Sequence, residues 1–487
     1  MSLGWIDFES IDRNRMIRTG DKGSNMTKFS QITRIISLYL LGVFFSFSCK
    51  SSSDKLDPIL AIGLFLSTQV GASGIVQIDN TGTKEWTKLL GVTGQATLSS
   101  AIASDSSGNI YTSGNTAGNL DGQTKTGSQD MFVAKYDNNG NKQWVRLLGA
   151  ASASSLGKGI TVDSSGNAYI SGYTTGNMDG QTKTGTNDLF VVKYDSSGNK
   201  QWTRLLGVTG VNTQALAITS DSSGNIYASG YTEGNLDGQT KTGASDLFVV
   251  KYDSNGNKQW TKLVGVTGGG ALTRAITSDR SGNLYLTGET NGNLGGQTKT
   301  GSQDMFAIKL GGDGNVQWTQ LLGGNASATT QGLGITRDLS NNVYITGITT
   351  NSLDGQTVTG GKDLFVVKYD TNGNKQWTKL TGITGGHFTE GFAITSDNYG
   401  NSYAAGSTTG NLDGQSGSGG KDLVVIKYDT NGSKQWTRLL GVSGSASIIY
   451  GIVSDIFGNL YATGETSGNL DGVTKTGGQD AFLIKYK

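Results

Sequence analysis

The sequence predicts an all-β protein: a seven-bladed β-propeller of four-stranded antiparallel blades, its ring closed by the N-terminal outer strand pairing with the C-terminal blade. Three observations predict it. Trp86, Trp144, Trp202, Trp260, Trp318, Trp377 and Trp436 follow one another at intervals of 58 or 59 residues, and self-similarity at a fixed period marks a repeat architecture. Each unit reads as four short runs rich in β-branched and aromatic residues, with no helical period. The array also starts and stops in mid-unit: KEWTKLLG at 84–91 has no strands of its own unit before it, and the last unit ends at Lys487 without its Trp-bearing strand.

Taken from the N-terminus, residues 1–25 show no apolar periodicity and read as a non-native upstream extension. From Met26 the chain runs MTKFSQITRIISLYLLGVFFSFSCKSSS, with a basic start, an apolar core from Ile35 to Phe47, and Ser48 before Cys49. That is the form of a secretory signal. With its Ser-rich tether it resembles a lipoprotein signal of the relaxed, spirochaete-like kind, in which the cysteine is lipidated. The resemblance implies 26–49 as signal peptide, lipidation at Cys49, a tether at 50–72 and a location at the cell envelope, on the outer membrane or cell surface. Ser46 stands where the usual signal has Leu. Within the tether, DPILAIGLFLSTQ at 57–69 is too short to span a bilayer and reads as a short docking element.

The propeller is expected over 73–487. Each unit contains strands a to d; in the third, LAITSD, IYASGYT, DLFVVKYD and KQWTKLVG. Tight turns join a to b and c to d, with Gly224 and Gly256 at positions that need a left-handed φ. GIVQIDNTG at 74–82 resembles a c strand and its turn. It is expected either as a fifth strand outside the N-terminal d or as a competitor of the C-terminal c.

The runs typified by GITVDSSGNAYISGYT at 159–174 resemble the bacterial SBBP-type β-propeller repeat and are similar to NHL repeats. The resemblance implies a propeller and little about activity. KYDTNGNKQW is similar to the Asp…Gly…Trp docking motif of quinoprotein and outer-membrane assembly propellers, without the Thr that precedes their Gly.

Comparing the copies separates geometry from other work. Tyr111 and Trp144, with their counterparts in every unit, read as packing between blades. Asp105 and its counterparts read as Asx turns, and Asp130 and its counterparts as structural acceptors. The b–c loops (NLDGQTKTG at 119–127) and the d–a connections vary, and both fall on one face. The candidate binding residues there are Asp121, Lys125, Asp179, Lys183, Asp237, Lys241, Arg274, His387 and Glu390, expected around the channel mouth.

Composition narrows the chemistry. With 39 basic against 38 acidic residues there is no field to grip nucleic acid. One Cys and one His leave no Cys-based zinc site and no His-rich centre. No metal, cofactor or catalytic residue is expected. The reading is a monomeric, non-enzymatic module that binds a protein or glycan and meets the membrane only through its lipid. The alternatives are an envelope-assembly scaffold of the outer-membrane propeller type and a propeller glycosidase or lyase.

Overall fold

The computed structural model describes residues 81–487. Cys49, the signal, the tether and residues 74–80 of the extra strand lie outside the described residues. The first strand, β1 (Lys84–Leu90), is followed by blade one: β2 (Thr97–Ser104), β3 (Ile110–Thr116), β4 (Asp130–Tyr136) and β5 (Lys142–Leu148). Strands β6 to β25, from Ser155 to Leu440, build blades two to six, four to a blade in the order a, b, c, d. Blade seven is β26 (Ser447–Ser454), β27 (Leu460–Thr466) and β28 (Asp480–Tyr486), completed by β1, which lies antiparallel to β28 with Thr87 opposite Ile484 and Leu89 opposite Phe482.

Residues 81–83 take the place that the c–d turn holds in other blades. Thr83 and Lys487 exchange backbone hydrogen bonds at 2.9 and 2.8 Å. Gly82 lies against the Trp436 ring and the Arg438 guanidinium donates to the Thr81 carbonyl, as the Trp144 ring meets Gly198 and Arg146 donates to its carbonyl at 2.7 Å. The described end of the 74–82 stretch is therefore a turn leading into β1.

The core lies between blades. Tyr111, Met131 and Val133 of blade one pack against Ile160, Ile170, Phe190 and Val192 of blade two. The seam between blades seven and one has the same make-up, with Tyr461, Ala481 and Leu483 against Ile110, Phe132 and Tyr136. Closure thus buries an apolar cluster of the same kind as the other joints; each such side chain contributes about 1.5–3 kcal/mol when fully buried.

Polar hooks fix each blade to the next. Asp105 accepts the Ser107 and Asn109 amides at 2.9 Å, building the a–b turn. The fully buried Tyr111 hydroxyl lies 3.2 Å from that carboxylate and 3.2 Å from the Gly166 carbonyl of blade two. Trp144 Nε1 donates to Ser196 O in the c–d turn of blade two at 3.2 Å. Asp130, fully buried, accepts the Thr126 and Gly127 amides at 2.7 Å. The repeated Tyr, Trp and Asp residues are held by blade geometry.

Every a strand carries a β-bulge, in blade one between Ser99 and Ala101 against β3. The glycine opposite explains why it fits. A Cβ on Gly172 would stand 1.9 Å from the Leu156 carbonyl oxygen and 2.8 Å from Phe190 Cζ, so only glycine lets the bulged strand approach. A bulge re-aims the extra side chain, and here it faces the channel.

Candidate binding site at the channel mouth

The b–c loops do not rim the channel. After β3 the chain folds along the blade's outer edge, where Gln123 donates from Nε2 to Val145 O at 2.8 Å and accepts the Leu147 amide at 3.2 Å. Its amide side chain covers the open edge of β5, as an exposed edge requires. Asp121, left-handed at φ 53°, then pairs with Lys142, the first residue of that outer strand. Asp179 pairs with Lys200, and Asp237 with Lys258 and the Thr261 hydroxyl at 2.7 Å. Burial pushes the Asp179 and Asp237 carboxyls up, but these partners outweigh it and hold both below the usual carboxylate range. Lys125, Lys183 and Lys241 donate to Gly127, Gly185 and Gly243 of their own loops. The structure draws the three Asp side chains to the outer strand of their own blades, three strand spacings, roughly 14 Å, from the inner strand, and turns the three Lys side chains back onto their own loops.

Three of the expected residues lie nearer the axis. Arg274 is the bulge residue of blade four and forms an ion pair with Glu289, Nη2 to Oε1 at 2.7 Å. Glu390, buried, joins Lys362 at 3.1 Å and Lys421 at 3.0 Å. Burial pushes its carboxyl up, yet Lys421 and then Lys362 together hold it below the usual range. His387 is exposed on the d–a loop before blade six, its Nδ1 3.4 Å from Thr409 Oγ1.

The a strands enclose a cavity of about 200 Å³, lined by three successive residues from each blade. The third is isoleucine in all seven blades, from Ile102 to Ile452. The first is the bulge residue and differs: Ser100, Lys158, Leu216, Arg274, Leu333, Phe392 and Tyr450. Each stands near the residue fifteen further along the same blade, on strand b. Arg274 meets Glu289; the Tyr450 hydroxyl donates to Glu465 at 3.3 Å; Lys158 Nζ lies 5.9 Å above the Tyr173 ring. Between blades, the Phe392 and Tyr450 rings are 5.6 Å apart. Geometry requires the isoleucines in every copy, whereas the bulge pairs change chemistry from blade to blade.

These groups are electrostatically unlike their repeated counterparts. Burial pushes the Glu289 carboxyl up against the pull of Arg274. Burial also raises Glu465, opposed by the Tyr450 hydroxyl and then by the charges of Lys158 and Lys421. The Lys158 ammonium is pushed down by burial and by Arg274, with Glu465 opposing. Lys158, Tyr173, Glu289, Phe392, Tyr450 and Glu465 were not among the residues expected from sequence. The signal that finds them is the variable residue just before a Gly or Ala, two places ahead of the repeated Ile in strand a (KG, RA, FA, YG), read together with its partner fifteen residues on.

The SBBP β-propeller repeat model matches residues 85–121, 143–177, 201–237, 259–295, 317–354 and 435–471. Each match starts in a d strand and ends in the next b–c loop, so the sequence repeat is offset from the structural blade. The chain is similar to the Regulatory protein FlaEY of Caulobacter vibrioides, 26% identical over 416 residues, covering 74% of this chain and 42% of that protein. It is also similar to an uncharacterized WD repeat-containing protein of Acanthamoeba polyphaga mimivirus, 25% identical over 266 residues, 41% of this chain and 19% of that one. The chain thus spans less than half the length of these curated relatives. Among solved structures, a chain of a Mitotic Checkpoint Complex crystal structure aligns at a TM-score of 0.47 and 10% identity, over 90% of this chain and 100% of that chain. Six units of this chain, alike in strands and turns, thus carry the SBBP β-propeller repeat.

Proposed function

We propose that this chain is a non-catalytic binding module whose partner, a protein or a glycan, engages the face carrying the d–a connections, centred on the channel mouth. One observation carries the reading: at the mouth the ring of bulge residues differs from blade to blade, while the isoleucine ring just below is the same in all seven. A rigid scaffold whose strands vary where they meet solvent in a concavity is how binding sites are built. Against hydrolysis, a glycosidase needs two available carboxylates across a cleft. Among the described residues, Glu289 is committed to Arg274, Glu390 to two lysines and Glu233 to Asn212.

The same proposal places the chain at the cell envelope, lipidated at Cys49. Its support is the signal-like form of residues 26–49, and mass spectrometry of the mature N-terminus tests it. The binding reading is tested by presenting the chain to a panel of envelope glycans and proteins, beside a variant with Lys158, Arg274, Phe392 and Tyr450 all changed to Ser. Loss of binding at an unchanged unfolding midpoint supports the mouth. Binding retained by this variant and lost on altering the a–b turns overturns it.

A further inference from the structure

Lys158 lines the cavity and Glu465 stands behind Tyr450, which also lines it, and both charged groups have hydrogen-bonding capacity largely unused. Among the described residues, Glu465 accepts a single bond, from Tyr450 at 3.3 Å, although a carboxylate has about four acceptor sites. Lys158 makes no hydrogen bond or ion pair and lies only above the Tyr173 ring. Lys158 and Tyr450, the hydroxyl partner of Glu465, line the same cavity, and among the described residues no ion pair joins Lys158 to Glu465. Between their blades stands blade one, whose bulge residue is the small Ser100. The result is a notch with a bare acceptor on one side and a bare donor on the other.

We infer that the notch binds the terminal residue of a glycan, a neutral sugar ring. This rests on the reading of the channel mouth as the binding site and names its ligand class. The two charges cancel, so the ligand they complement is neutral overall while offering donors and acceptors on adjacent atoms. Vicinal hydroxyls do both. The C–H face of the ring packs on Tyr450 and Phe392, whose rings adjoin at 5.6 Å, a large apolar surface beside polar tips. Volume sets the limit to one residue: the cavity of about 200 Å³ is below the roughly 300–1,000 Å³ of pockets for drug-sized ligands. The isoleucine ring beneath bounds it, so a chain enters by its end and does not thread through.

The test uses the full chain on an array of oligosaccharides immobilised by their reducing ends, with terminal rings free or blocked by methylation. Binding is expected for free ends and not for blocked ones, weakened roughly tenfold or more in Lys158→Met and Glu465→Gln and unchanged in Lys125→Met. Urea midpoints no lower than the parent's establish that the variants fold. The inference is overturned if no saccharide binds, if blocked ends bind equally, or if both variants bind like the parent. It also falls if free amino acids compete where monosaccharides do not, which would mark a zwitterion site. A protein partner lost in the four-serine variant, with no saccharide bound, would leave the mouth reading standing and refute the sugar. Binding of any partner untouched by the four-serine change would refute both.

Discussion

Tyr344→Phe tests the claim that hydroxyl hooks lock neighbouring blades. Tyr344 is fully buried, its hydroxyl 3.1 Å from Asp338 Oδ2 in its own blade and 3.1 Å from the Gly400 carbonyl in blade six. The substitution removes one donor and leaves the ring packing intact. Asp338 retains the Ser340 and Asn342 amides and the Asn342 side chain, at 2.8–2.9 Å, so its turn survives. What disappears is a hydrogen bond to a charged acceptor, worth about 1.5–3 kcal/mol, and the solvation of a carbonyl that water does not reach. The expected loss is therefore about 2 kcal/mol, roughly a 30-fold change in the folded-to-unfolded ratio. The assay is urea unfolding of parent and variant, with Tyr399→Phe as the control. Tyr399 is 59% exposed, and its change should stay within about 0.5 kcal/mol. Equal midpoints for the two variants would refute the hook.

Deleting 81–90 leaves β28 an open edge and removes Trp86, Leu89 and Leu90 from the seams of blade seven; size-exclusion chromatography should show the variant in larger species than the parent. Gly172→Ala should destabilise far more than Gly180→Ala, because its Cβ meets the Leu156 carbonyl at 1.9 Å whereas that of Gly180 meets nothing within 4 Å and costs only the strain of φ +75°; thermal melts rank them. The Glu465 carboxyl is raised from its ordinary 4.5, so between that value and its folded one the folded state holds more protons than the unfolded. Stability then falls as pH rises through that window. Glu465→Gln should accordingly gain stability over the parent at pH 7 and lose the advantage near pH 4, as paired urea titrations would show; a constant difference across that range would refute it.

What the sequence determined by itself follows from repetition. A tryptophan every 58 or 59 residues, four short strands between, and half-units at both ends leave a closed ring of seven as the arrangement that pairs every strand, and β1 against β28 is that pairing. Asp105, Tyr111 and Trp144 were legible as structural because every copy repeats them, and each is spent on a turn or on the next blade. The site was not legible in the same way. Loops drift in sequence whether they face a ligand or brace an edge, and only the tertiary path shows Gln123 covering β5 and Asp121 drawn out to Lys142. Alternation along a strand places side chains between blades, so Lys158 and Tyr450 read as interblade residues until the bulge, made possible by a glycine on the neighbouring strand, turns them toward the axis. Residues some three hundred positions apart, such as Lys158 and Tyr450, share one cavity because the ring closes, and closure is a property of the whole chain that no local stretch encodes.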